Sequence, residues 1–304
     1  MPSIAGLAIA VSETAGAGPK SLLAIIAGRG ALPRQIAEAR LSAGLPYLLI
    51  VYPECYEPWM AEHPHQRHAF EKVGGLFRAL RRADATHIVF AGAMNRPKVR
   101  PWRLDLTGAK VAARVLALLR QGDDAMLRGF ASVFEAEGFE MIGPMDVLGA
   151  ELTVPQGAMG AHAPVPRDLA DAARASAIVA VLGPLDVGQG AVVANGVCLA
   201  VEAVEGTDLM LARVADLPAD RRATAPPPSG VLYKGPKPGQ DMRMDMPTIG
   251  PATIEGVARA GLRGLVVAAG RTLVTDPAGA REIADRERIF VYGASPEELH
   301  QSPE

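Results

Sequence analysis

A chain of 304 residues, 49% hydrophobic and 21% charged, is long enough for two globular domains and apolar enough to give each a core. Its formal net charge of −2 leaves no basic excess to neutralise a phosphate backbone, which excludes nucleic acid as the main partner. No run of eighteen apolar residues occurs, so no membrane-spanning helix is expected.

Residues 1–20 hold a short apolar patch without a positively charged start, a poor signal peptide, and a flexible extension is expected there. A strand over 22–27 runs into Gly28-Arg29-Gly30, and Pro33 is suited to be the first residue of a helix reaching Ser42. A second strand covers 47–52. Both strands are continuously apolar, as strands buried on both faces of a parallel sheet are. A helix near 76–82 precedes a strand over 86–91. Helical patterns over 109–120 and 123–136 and a short strand over 140–142 close the series. Alternating β and α elements over 21–145 predict an α/β fold with an N-terminal Rossmann-like parallel sheet.

The stretch 144–166 is rich in Gly, Pro and Ala, and the domain boundary is placed in it, giving domains 21–150 and 151–304. A helix over 167–182 follows. Asn195-Gly196 between two apolar runs predicts a hairpin with a type I′ turn. Cys198, inside the second run, reads as a small buried hydrophobe in a reducing compartment. A helix is expected after Glu205-Gly206-Thr207-Asp208, with Thr207 or Asp208 as its cap, and 226–230 reads as an exposed loop. Helices near 252–260 and 278–286 and strands over 264–268, 272–275 and 289–292 complete a second α/β domain with mixed strands.

The richest chemistry lies in 234–250, KGPKPGQDMRMDMPTIG. Lys234, Lys237 and Arg243 with Asp241 and Asp245, on a Gly/Pro-rich path, suit the joint holding of a phosphorylated ligand and a divalent cation. Extended, the stretch 241–246 puts Asp241, Arg243 and Asp245 on one face and three Met on the other; helical, it makes the two Asp neighbours at i,i+4. The plain alternative is an edge strand with a solvated salt-bridge face. Gly28-Arg29-Gly30 opens a helix after a buried strand, where backbone N–H groups can face an anion; Pro33 replaces the third glycine of a dinucleotide fingerprint. Asn95 and Arg96 leave another strand at the same end of the sheet. Asp123 and Asp124 read as helix caps able to reach a ligand, and Asp208 as a third carboxylate for a hard cation. The histidine-rich stretch 63–68 reads as a solvated loop, and His87 as a satisfied core residue.

The block 234–250 closely resembles the signature of the UDP-2,3-diacylglucosamine pyrophosphatases of bacterial lipid A biosynthesis, the type unrelated to metallophosphoesterases. IAGRGALP at 26–33, GDDAMLR at 122–128 and VEGTD at 204–208 resemble further blocks of that family in the same order, so the likeness runs from residue 22 onward. Two features depart from it. Residues 1–20 have no counterpart, and Ala93-Met94-Asn95 stands where Gly-Lys-Val is expected before Arg96-Pro97.

The resemblance implies an Mg²⁺-dependent hydrolase that cleaves the pyrophosphate of UDP-2,3-diacylglucosamine to UMP and 2,3-diacylglucosamine 1-phosphate (lipid X), bound between the two domains. On that footing Asp241 and Asp245, with Asp208, are expected to hold Mg²⁺, or one of these carboxylates to serve instead as the general base, and Lys234, Lys237 and Arg243 to offset charge on the transferring phosphoryl group. Gly28, Arg29, Gly30, Asn95, Arg96, Asp123, Asp124, Thr207, Gln240 and Thr248 are expected to bind nucleotide or substrate. Acyl chains call for an apolar groove and transient contact with the inner-membrane surface from the cytoplasm, with self-association left open. The rivals are a UDP-sugar or lipid sensor without turnover and a nucleotide-sugar oxidoreductase, the latter disfavoured by the broken glycine fingerprint.

Overall fold

The computed structural model describes residues 21–94, 100–118, 123–218 and 228–300. The chain separates into two compact units: residues 1–149 with 241–245, and residues 150–240 with 246–304. A single cut in 144–166 leaves out the return of 241–245 to the first unit.

In the first unit the elements run β1 (Leu22–Ala27), α1 (Ala31–Ser42), β2 (Tyr47–Val51), β3 (His65–Arg67), α2 (Val73–Arg82), β4 (Ala85–Ala91), α3 (Leu106–Leu118), α4 (Asp123–Ala136), β5 (Glu140–Ile142) and α5 (Pro144–Leu148). The sheet is wholly parallel in the order β3-β2-β1-β4-β5. That is the first five places of the doubly wound 3-2-1-4-5-6 order, in which ligands sit outside the carboxyl ends of the strands where the order reverses. Here the reversal falls between β1 and β4. β1 lies between β2 and β4, which is why its residues 23–27 are all buried and apolar. One core cluster unites the sheet with Leu76, Phe77 and Leu80 of α2, Phe134 of α4, and Met244 from the returning segment.

Two sequence expectations are corrected in this unit. Helix α1 starts at Ala31, so Pro33 is its third residue and not its first; the first-turn N–H groups have no intrahelical acceptor, so proline fits there equally well. Gly30, at φ 97, makes the turn that the earlier start requires. Residues 65–67 are an edge strand beside β2 and not a loop; polar, exposed Gln66 and Arg67 suit an edge.

The second unit runs β6 (Gly157–Ala158), α6 (Pro166–Leu182), β7 (Gly190–Ala194), β8 (Val197–Val201), α7 (Gly206–Ala215), β9 (Val231–Lys234), β10 (Thr248–Ile249), α8 (Pro251–Arg259), β11 (Gly264–Ala268), β12 (Leu273–Val274), α9 (Pro277–Glu287), β13 (Phe290–Ala294) and α10 (Pro296–His300). Six strands form one mixed sheet, β6-β13-β11-β9-β7-β8, and β10 pairs with β12. Residues of α7, α8 and α9 pack on one face with Leu232, and residues of α6 on the other with Val231 and Tyr233. Strand alternation therefore turns Lys234, two after Leu232, toward the α7 face.

The hairpin falls where expected, with Asn195 at φ 53 and Gly196 at φ 75, the two positive values of a type I′ turn. Buried Asp171 accepts the N–H groups of both turn residues at 2.9 and 2.7 Å, an anchor the local pattern does not reveal. Cys198 is exposed and not buried, because it follows the turn on an edge strand. Of the expected exposed loop 226–230, residues 226 and 227 lie outside the described residues, Pro228 is exposed, and Ser229 and Gly230 are buried as they enter β9. The central strand β9 and the short β6, α5 and α10 were not expected: each is hidden in a brief, Pro- or Gly-flanked stretch.

Candidate active site

At the carboxyl edge of the parallel sheet, the loops after β1 and β4 bind each other. Arg29 N donates to Ala93 O at 2.9 Å, Ala93 N to Arg29 O at 3.0 Å, and Gly28 N to Ala91 O at 2.7 Å. A Cβ on Gly28 would lie 2.6 Å from the Gly92 carbonyl oxygen, so the approach of the two loops needs glycine. Gly30 N donates to Glu57 Oε1 at 3.2 Å, and the Arg29 guanidinium donates to the Glu54 carbonyl through Nε at 3.0 Å and Nη2 at 2.7 Å. The N–H groups of 28–30, expected to face an anion, are thus engaged within the protein. This end of the sheet is built as a braced rim.

Residues 241–245 return to the same edge. They pass over Gly143, just beyond β5, where a Cβ would lie 3.3 Å from Arg243 Cα. The segment is one helical turn and not a strand: Met244 N and Asp245 N both donate to Asp241 O, at 3.0 and 3.1 Å. Met244 anchors the turn by entering the core. Asp241 Oδ1 accepts from Arg243 Nε at 3.0 Å and Oδ2 from Nη2 at 2.7 Å, and Arg243 Nη1 donates to Glu135 Oε1 at 3.0 Å. Hydrogen bonding from Arg243 holds the Asp241 carboxyl below its ordinary range, and the same pairing raises the Arg243 guanidinium. Both Asp241 oxygens therefore already face a cation.

In the second unit, Lys234 ends β9 and is 8% exposed. Its Nζ donates to Thr207 Oγ1 at 2.8 Å, and Thr207 Oγ1 donates to Glu202 Oε1 at 2.8 Å. Lys234 makes no direct ion pair among the described residues. Thr207 is the second residue of α7 and Asp208 the third; Glu205 takes the capping position without a side-chain bond, so neither expected cap is used. Asp208 is exposed in that first turn.

Lys237 has a different setting. Residues 237–240 form a turn closed by Gln240 N to Lys237 O at 3.1 Å, with Pro238 second and Gly239 third at φ 77, the chemistry of a type II turn. The Gln240 side chain completes it, accepting from Lys237 N at 2.8 Å and donating to Gln189 Oε1 at 3.3 Å. The Lys237 ammonium pairs with Asp186, and both side chains are largely buried. Thr248 opens β10 and donates to Met246 O at 2.9 Å.

The structure thus joins Asp241 with Arg243, Lys234 with Thr207, and Lys237 with Gln240. Asp241 and Asp245 belong to the first unit and Asp208 to the second. Among the described residues, no three His, Cys, Asp or Glu side chains are grouped as a metal site. Asn95 and Arg96 lie outside the described residues; α4 starts at Asp123 as expected, and the side chains of Asp123 and Asp124 lie outside them as well. Glu202, Asp186 and Glu135, which partner the candidate residues, were not singled out. Only Glu202 carried a local signal, as a charge at the end of an apolar run.

Models of two protein domains match the chain in order. The LpxI N-terminal domain matches residues 22–150, and the LpxI C-terminal domain matches residues 155–292. A relative in Caulobacter vibrioides, UDP-2,3-diacylglucosamine pyrophosphatase LpxI, is 43% identical over 276 residues, covering 91% of this chain and 98% of that protein.

Proposed function

This chain belongs to the LpxI family, and from that premise we propose that it hydrolyses the pyrophosphate of UDP-2,3-diacylglucosamine in lipid A biosynthesis, releasing UMP and lipid X. The observation that carries the reading beyond kinship is the setting of Lys234. A buried ammonium uses one proton on Thr207 and keeps two donors, next to the first turn of α7, whose N–H groups and dipole also favour an anion. A phosphate oxygen is the partner this arrangement fits, and Lys234 would hold it while charge develops on the transferring phosphoryl group. Lys237 already faces Asp186, so its charge serves the turn.

Mg²⁺ is the cofactor of this reading. Each unit carries carboxylates whose hard oxygens suit it, Asp208 in one and Asp241 with Asp245 in the other, and both Asp241 oxygens also accept from Arg243. When bound, the ion supplies charge neutralisation and polarisation at the pyrophosphate. Arg243, gripped by Asp241 and Glu135, holds its guanidinium in a fixed orientation at the sheet edge. Asp245 sits four residues after Asp241 on the same turn, so that pair places it.

Contact with a membrane surface is part of the proposal. Trp102 and Leu106 are 80% and 89% exposed, beside exposed Arg103 and Lys110, an amphipathic pairing suited to an anionic lipid interface. Among the described residues no helix is long and apolar enough to cross a membrane.

The test is hydrolysis of UDP-2,3-diacylglucosamine by the purified chain, with Mg²⁺ and with excess EDTA, following UMP and lipid X. Metal-dependent release of both products is expected. Binding without turnover would replace the reading with a sensor, and absence of binding would remove the substrate assignment.

A further inference from the structure

We infer that Glu202 is a positioning residue that holds Lys234, through the Thr207 hydroxyl, as a hydrogen-bond donor for a phosphate group. Three polar side chains, each no more than 8% exposed, stand in line at 2.8 Å and 2.8 Å. A threonine hydroxyl has one proton. Glu202 Oε1 takes it, so Oγ1 presents only lone pairs to the Lys234 ammonium. The direction of the whole line is therefore set by the carboxylate.

A lysine meant only to neutralise Glu202 would meet it directly, as Lys237 meets Asp186. With a hydroxyl interposed, the charges balance at one remove and two ammonium protons stay available. The second carboxylate oxygen, Glu202 Oε2, is buried without a hydrogen-bond partner, a costly arrangement for a group whose only task is to fill space. The backbone makes room for it: a Cβ on Gly190 would lie 2.9 Å from Oε2, and Glu202 N donates to Gly190 O at 2.9 Å. Glu202 is thereby clamped at the end of β8, and the start of α7 brings Thr207 over it.

The inference rests on the pyrophosphatase reading only for the identity of the phosphate. It is tested on the full chain with UMP, by calorimetric titration at fixed salt, together with kcat and KM on UDP-2,3-diacylglucosamine and a thermal melt. Thr207→Val and Glu202→Met, which keep volume but break the line, should each weaken UMP binding by roughly tenfold to a hundredfold. Thr207→Ser and Glu202→Gln, which keep a hydroxyl and an acceptor oxygen, should stay within about threefold. Lys234→Met combined with Thr207→Val should bind no more weakly than Lys234→Met alone.

The sign for Glu202 separates the mechanisms, because removing a negative charge near a phosphate site would by itself strengthen anion binding. Unchanged or tighter UMP binding in Glu202→Met, additive losses in the double variant, or a lowered melting temperature as the sole effect of Thr207→Val would each overturn the inference. So would failure of the wild-type chain to bind UMP. Wild-type UMP binding with the expected losses, but no turnover of UDP-2,3-diacylglucosamine, would uphold the inference and sink the pyrophosphatase reading instead.

Discussion

Lys237→Met separates a catalytic lysine from a structural one. The substitution keeps the length of the side chain and removes its charge from a pair whose side chains are 10% and 14% exposed. Breaking a buried ion pair costs about 3–5 kcal/mol, because the remaining charge is left in a poorly solvating site. Asp186 retains a further interaction and some exposure, which places the loss near the lower end, about 2–4 kcal/mol. For a unit of this size 1 kcal/mol moves the melting temperature by about 2–4 °C, so a fall of roughly 4–16 °C is expected. Asp186→Asn should cost a similar amount, and the double variant should lose less than the two singles together, with a coupling of about 1–3 kcal/mol. Below the melting range, kcat/KM of Lys237→Met should stay within about threefold, because the Lys237 charge is met directly by Asp186 whereas a hydroxyl stands between Lys234 and its carboxylate. A rate loss of two or more orders of magnitude with an unchanged melt would refute the reasoning and return Lys237 to the reacting groups.

Asp245→Ala and Asp241→Ala should each lower turnover by roughly a thousandfold or more while the chain stays folded; near-normal UMP release by both would dismiss their assignment to the site. Gly28→Ala should destabilise the first unit by about 2 kcal/mol or more, since its Cβ meets backbone oxygens of Gly92 and Ala93 that cannot swing away; a urea midpoint equal to wild type would show that the loops separate freely. Asp105 gives an acid limb: burial raises its carboxyl, but N–H donors from Gly108, Gly74 and Gly75 outweigh this and lower it. A depressed carboxyl stabilises the fold above its ordinary range, and that stability is lost as pH falls through the lowered value. Stability measured by urea from pH 7 to pH 3 should therefore fall more steeply in wild type than in Asp105→Asn, and parallel curves would contradict the assignment.

Much of the fold is legible because its signals are local. The run 22–27 is apolar at every position because it becomes the central strand β1, and Asn195-Gly196 encodes its turn in two residues. Strand β9 escaped because VLYK is four residues long and stands between a Gly and a Gly-Pro step, so its length carries no periodicity. Cys198 was misplaced for a related reason. The apolar run containing it is real, but strand order decides which strand is the edge, and strand order comes from pairings far along the chain. The alternation in 241–246 suggested a strand as readily as a helix; the Met244 side chain in the core and the carbonyl of Asp241 settle it as a turn.

The site residues show the same division more sharply. Lys234 and Lys237 are alike in type and lie three residues apart, and no property of the motif ranks one above the other. Their partners do. Lys234 is the last residue of a strand whose ladder fixes it toward α7, where it meets Thr207, 27 residues earlier. Lys237 stands beyond the strand at the head of a Pro-Gly turn, where it meets Asp186, 51 residues earlier. Arg243 likewise owes half its grip to Glu135, 108 residues away. A motif supplies charges, and the fold decides which are already matched. The lysine whose charge is not met directly is the one held off its carboxylate by a hydroxyl, so that Thr207, a residue without charge, is what distinguishes the two lysines of the motif.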